Sequence, residues 1–440
     1  MESSPPVRIV EAQPAANAPA FNARAVPYAI VAACFFILVV AWSLVIPFHG
    51  APDERTHLYL VEYLYRFGAV PTPGVDPAEP FIGDLSGWPV TKDQFWYFGL
   101  PYLNSLGAAG LSALFADILP QNYGYIAARA FNWLLAPVFA VALLVTARAA
   151  GLRGALAYLA PVAFLLVPQA TFLFSYFNAD AFALTVTALS LALLLKALAN
   201  PRTDTMLFFG LSCGLLVSSK IYFYPALVFF AALIGFQWLT VRCFPIVRLL
   251  TLTLVGALAV AIPALGTTYA HFGEFTGIQG QILFTEMHIG DQTTPCFIYC
   301  SSALIETQNL LWWLSTASKS FFFGLGWMNV FLPDVAYEVF FFPLVAALFL
   351  FSIAISVREL VRVRADGLAA LWVPLITVLF WSMSVAVILL NIIGSQSLLP
   401  QPQGRYLYVI FPFALFLFAS LFGRRRPPYE PDASLRGKLA

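Results

Sequence analysis

Residues 47–71 read PFHGAPDERTHLYLVEYLYRFGAVP and follow directly on the first long apolar run. This stretch holds Asp53, Glu54, Arg55, His57, Glu62 and Arg66 in a chain of which only 10% is charged. Pro52 suits the first position of a helix, where a missing N–H costs nothing. Asp53 and Glu54 then fall in the first turn, and Asp53 shares a face with His57 at i+4. Leu58, Val61, Leu64 and Tyr65 form an apolar stripe. The reading is an amphipathic helix lying at a membrane surface, with ionisable groups at its N-terminal tip. Acids in a first turn also complement the helix dipole. Ionisable groups bordering a bilayer are costly, however, and commonly have a task.

The rest of the chain supplies the membrane. Of 440 residues, 60% are hydrophobic and 16% aromatic, and the mean hydropathy is +0.82. Apolar runs of span length recur, each closed by Arg or Lys, as in a polytopic helical membrane protein. A net charge of +1 gives no footprint for nucleic acid. Five cysteines form no zinc pattern. Cys296 and Cys300 are close enough in an outer loop to pair in an oxidising compartment.

About ten spans are expected in one transmembrane domain, 26–423, between a cytoplasmic tail at 1–25 and another at 424–440. They are Val26–Ile46, Tyr125–Ala147, Ala155–Phe174, Ala179–Leu198, Met206–Val217, Ile221–Leu239, Leu249–Tyr269, Val335–Val357, Leu368–Ile392 and Tyr406–Phe422. The first is expected to stay as an anchor. Two large extracytoplasmic loops, 47–124 and 271–334, hold surface helices. Residues 96–119 are long enough to span but contain Pro101, Asn104 and Asp117. If they span, the basic loops with Arg148, Arg153, Lys196, Arg202, Arg358 and Arg362 fall outside. If they lie on the surface, those loops and both termini fall inside, as the positive-inside rule prefers.

On that topology the rarest side chains gather on the extracytoplasmic side. They are Asp53, Glu54, His57 and Lys92 from the first loop, Asp180 after Asn178, Lys220 after the short fifth span, and Gln403, Arg405 and Tyr406 before the last. Each has a plainer reading: Asn178 and Asp180 as helix caps, Lys220 and Arg405 as cations reaching for the interface. Gly324, Gly326 and Trp327 read equally as packing and belt residues. Taken together they fit group transfer from a lipid-phosphate donor. Arg405 offers a phosphate bidentate geometry, Lys220 or Lys92 a point charge. A carboxylate of the Asp53–Glu54 pair would take the acceptor proton. A divalent cation could assist at the carboxylates and His57, and nothing requires one.

At these residues the sequence resembles the GT-C superfamily of polytopic glycosyltransferases, and within it a bacterial membrane-protein group of unknown function. The pieces are PDERTHLYLVEYLYRFGAVP, FWYFGLPYLNSLG, YIAARAFNWLLAP, FSYFNADAFALT, GLSCGLLVSSKIYFYPAL, SFFFGLGWMNV and QGRYLYVIFP, in order along nearly the whole chain. The resemblance implies a general base in the first loop, at Asp53, and a second acidic site, at Asp180. It implies a polyprenyl-phosphate-linked sugar donor and action on the outer face of the bacterial inner membrane. The acceptor would be a cell-envelope glycan, lipid or protein. A transporter or flippase, or a scaffold for lipid-linked saccharide assembly, is the alternative. A transporter would place its charges inside the spans.

Overall fold

The computed structural model describes residues 22–71, 79–91, 102–115, 118–119, 123–241, 244–276, 307–397, 402–423 and 427. Lys92, Cys296 and Cys300 lie outside them. Among the described residues, fourteen α-helices of eight residues or more and one two-stranded hairpin organise the chain. α1 (Asn22–Val45) is followed by α2 (Glu54–Phe67), β1 (Phe81–Ile82), β2 (Pro89–Val90) and α3 (Tyr102–Phe115). Then come α4 (Tyr125–Ala149), α5 (Leu156–Leu165), α6 (Pro168–Ser175), α7 (Ala179–Ala199) and α8 (Thr203–Val217). α9 (Pro225–Thr240), α10 (Ile246–Phe272), α11 (Thr307–Phe322), α12 (Phe342–Asp366), α13 (Trp372–Ser397) and α14 (Phe411–Phe422) complete it.

Among the described residues, eight helices are long and apolar enough to cross a bilayer, and nine if α5 and α6 form one span. The chain is an all-α, multi-pass membrane protein. All ten expected spans fall on helical residues, several of them opening in a 3-10 or π turn, and two depart most from an unbroken crossing helix. The third is broken: α5 and α6 meet at 62°. Val167 is extended and Pro168 opens α6, so the backbone hydrogen-bond ladder cannot run through. The fifth, α8, has 15 residues, about 22 Å against a hydrocarbon core of about 30 Å. Within 96–119 the described residues 102–115 form α3.

α8 compensates for its length by close packing. A Cβ on Gly210 would lie 2.5 Å from the Thr253 carbonyl oxygen, and one on Gly256 2.7 Å from that of Leu207. Gly214 meets Ala257 in the same way. Without a hydrophobic force between lipid-immersed helices, such backbone approach is a principal source of association. Gly256→Val should therefore part α8 from α10 and cost about 1–3 kcal/mol of overpacking. Thermal unfolding in detergent would register this as a lowered midpoint.

The first loop departs from expectation at its start. The helix begins at Glu54, not Pro52, because Asp53 sits in the left-handed region at φ 62°. α2 is also not a half-exposed surface helix: Glu54 and every residue from His57 to Leu64 is buried. α3, α4 and the hairpin pack over it. Buried Glu62 fixes the hairpin, accepting from the Leu85 N–H at 3.0 Å and the Ser86 N–H at 2.6 Å. Burial pushes the Glu62 carboxyl up despite these bonds.

Candidate functional site

Four chain segments converge at one end of the bundle. Pro52 and Asp53 arrive from α1, Tyr176–Asp180 from α6, Lys220 from α8, and Gly404–Tyr406 from a 3-10 turn that leads into α14. That turn spans Gly404–Ile410. It sits against α11 because Gly404 has no side chain: a Cβ there would lie 2.1 Å from the Phe321 nitrogen. The Gly404 N–H donates to Ser320 Oγ at 2.7 Å, and Tyr408 donates to the Phe321 carbonyl at 2.9 Å. Arg405 is thereby held in a fixed, buried position.

The Arg405 guanidinium reaches the carboxylate of Asp53, the Tyr176 hydroxyl at 3.1 Å, the Tyr406 hydroxyl at 3.3 Å and the Pro52 carbonyl at 3.4 Å. Its Nε is 3.7 Å from Asp180. Lys220 pairs with the other oxygen of Asp180 at 2.7 Å, and its ammonium lies 5.3 Å from the centre of the Tyr406 ring. Two carboxylates and two cations thus alternate: Asp53, Arg405, Asp180, Lys220. Burial alone would raise the Asp53 carboxyl, but Arg405, with Lys220, outweighs it and holds the group below its usual range. His57 faces the same cluster from α2 against Phe177. Burial and the nearby Lys220 push its imidazole down to about 3, so it is neutral at ordinary pH.

Glu54, expected beside Asp53 in the chemistry, points elsewhere. It forms a two-pronged pair with Arg129, at 2.5 Å to Nε and 2.8 Å to Nη2. It also accepts the His49 N–H at 3.1 Å and the Phe177 N–H at 3.2 Å. Arg129 donates in addition to the carbonyls of Ser43, Ile46 and Pro47, at 2.7, 2.8 and 3.1 Å. The pair ties the end of α1 and the Asp53 loop to the extended segment before α7. One turn on, Asn132 donates to the Tyr176 carbonyl at 2.7 Å. The first turns of α4 therefore hold both acid-bearing segments.

Asn178 caps α7, accepting the Ala181 N–H at 2.9 Å, as its plainer reading had it. Gln403 opens the Arg405 turn, and its side-chain oxygen is buried with no hydrogen-bond partner among the described residues. His271 and Lys319 lie outside the cluster: His271 bonds the Thr267 carbonyl at 2.9 Å, and Lys319 pairs with Asp334 at 2.9 Å. Arg129 and Tyr176 escaped the sequence reading. An arginine in an apolar helix was signal enough for Arg129; Tyr176, in FSYFNADAF, carried none that sets it apart from the other tyrosines.

A groove of ≈ 430 Å³ opens beside Lys220, between α9 and α13. Ile221, Pro225, Val228, Met383, Ala386 and Leu390 are among its walls. Among the described residues, no three His, Cys, Asp or Glu side chains come together as a metal site. Asp53 and Asp180 each face a cation, Arg405 and Lys220.

No protein-family profile matches the sequence, and no curated protein does. Among solved structures the chain is similar to ArnT from Cupriavidus metallidurans, in a crystal structure bound to undecaprenyl phosphate. The similarity covers 91% of this chain at 16% identity and a TM-score of 0.48, and this chain spans 60% of that one's length.

Proposed function

We propose that the chain is an inverting glycosyltransferase of GT-C type in the bacterial inner membrane. It moves a sugar from a polyprenyl-phosphate-linked donor to a cell-envelope glycan, lipid or protein on the extracytoplasmic face. The observation that carries this reading is the alternating quartet of Asp53, Arg405, Asp180 and Lys220. A lipid phosphate needs cations for its head and apolar walls for its tail, and the residue after Lys220, Ile221, lines an apolar groove.

The donor phosphate binds Arg405 and Lys220 by charge-assisted hydrogen bonds. Arg405 then has less hold on Asp53, which is freed to accept the acceptor's hydroxyl proton. The acceptor oxygen forms a bond to the anomeric carbon as the bond to the lipid phosphate oxygen breaks on the opposite face. The proton ends on Asp53 and the electron pair on the phosphate, where the two cations stabilise it. Asp180 spaces the cations. Glu54 positions Asp53 through the Arg129 clamp and has no free oxygen for chemistry. The orientation is the one the positive-inside rule favours, with the connections that carry Arg148, Arg153, Lys196, Arg202, Arg358 and Arg362 on the cytoplasmic side.

The test is mass spectrometry of surface glycans and lipid-linked sugars in cells with and without the protein. One sugar should vanish from the glycans while its polyprenyl-phosphate form accumulates in the outer leaflet. Accumulation in the inner leaflet would point to a flippase, and an unchanged glycan profile would end the transferase reading.

A further inference from the structure

The loop that delivers Asp53 is walled by aromatic groups that the transfer step does not use. His49 sits between two indoles, its ring centre 4.8 Å from that of Trp327 and 6.1 Å from that of Trp88. Trp327 Nε1–H donates to the His49 carbonyl at 2.8 Å, which fixes the indole on the Asp53 loop. Arg55 lies over Trp88 at 4.3 Å from the ring centre, and its Nε donates to the Tyr59 hydroxyl. Both indoles remain open, Trp327 at 49% exposure and Trp88 at 36%.

The backbone adds an independent sign. Among the described residues, three without glycine's freedom have positive φ: His49 at 62°, Asp53 at 62° and Met328 at 60°. All three lie in the two loops that Trp327 joins. Such residues are strained and gather at ligand clamps, where the fold over-determines them. Charge completes the picture. Glu54 is taken up by Arg129, and Asp53 and Asp180 by Arg405 and Lys220. Among the described residues no carboxylate pairs with Arg55, whose guanidinium lies on the Trp88 face.

We propose that this rim is a saccharide subsite that takes an acidic sugar. The C–H face of a pyranose ring lies on an exposed indole of Trp327 or Trp88, and a carboxylate or phosphate on that sugar meets Arg55. That this saccharide is the acceptor rests on the transferase reading, because the rim adjoins Asp53. That it binds at all does not. A belt of interfacial tryptophans would need neither the hydrogen bond to His49 nor the left-handed turns.

The experiment is calorimetric titration of the purified full-length protein in nanodiscs with tetragalacturonate, glucose 6-phosphate and maltotetraose. An anionic probe should bind at least about tenfold more tightly than neutral maltotetraose. Tetragalacturonate and glucose 6-phosphate separate carboxylate from phosphate. Trp327→Ala and Arg55→Gln should each weaken that binding by about tenfold or more, and Trp327→Phe should keep part of it. Monodisperse elution of each variant controls for folding. No binding of any probe, equal binding of all three, or indifference to both Trp327→Ala and Arg55→Gln overturns the proposal. If binding behaves as expected while Asp53→Asn cells keep their glycans, the transferase reading fails and the saccharide rim stands.

Discussion

Asp53→Asn should slow sugar transfer by about 10²–10⁴-fold, the usual contribution of a general base, while the protein inserts and accumulates as before. The substitution keeps the shape of the side chain. It also keeps the backbone, because Asn is among the few residues that tolerate the left-handed conformation of Asp53. The charge that loses its partner is that of buried Arg405, which keeps Asp180 at 3.7 Å and the hydroxyls of Tyr176 and Tyr406, so it is not left uncompensated. Surface-glycan mass spectrometry beside an immunoblot measures both halves, and wild-type glycans at equal abundance would remove Asp53 from its role. A companion experiment reads the electrostatics. Burial would raise the Asp53 carboxyl and Arg405 holds it down. A base is lost as pH falls through its pKa, so Arg405→Gln should move the acidic limb of the rate–pH profile upward at saturating donor. An unmoved limb would mean that another group titrates.

Most of the fold was legible because the bilayer imposes it. A span needs about 20 apolar residues, and charges are so rare here that each one punctuates. Leu249–Tyr269 and Leu368–Ile392 could hardly be read otherwise. The Pro168 break was harder, since its apolar run is unbroken in composition and only a missing N–H divides it. The site was legible for the same reason as the spans. Asp180, Lys220 and Arg405 stand out against apolar neighbours, and a one-sided topology brings them together. What one dimension could not give was direction. Asp53 and Glu54 are adjacent and chemically alike, yet one lies in a left-handed turn facing Arg405 and the other opens a helix facing Arg129. That difference depends on where α1 ends and α4 begins in space. Arg129 escaped the reading because its partners come from 75 to 86 residues earlier in the chain.

Breaking the Glu54–Arg129 pair should be the most damaging single change to stability. Both side chains are 1% exposed, and removing one partner of a buried pair costs about 3–5 kcal/mol because the other charge is left uncompensated. Arg129→Met should be worse than Glu54→Gln. It strands the carboxylate and also frees the carbonyls of Ser43, Ile46 and Pro47, each costing about 1–3 kcal/mol if nothing replaces the donor. Glu54→Gln leaves those three bonds in place. Combining the two should recover part of the loss, with a coupling of about 0.5–3 kcal/mol for groups in direct contact. Thermal unfolding in detergent across the four proteins measures this, and strict additivity would mean the pair does not act as a unit. The result bears on function because the clamp aims the Asp53 loop at Arg405. Clamp variants should lose activity together with abundance and thermal midpoint, whereas Asp53→Asn should lose activity alone, and that separation divides the group that reacts from the pair that holds it in place.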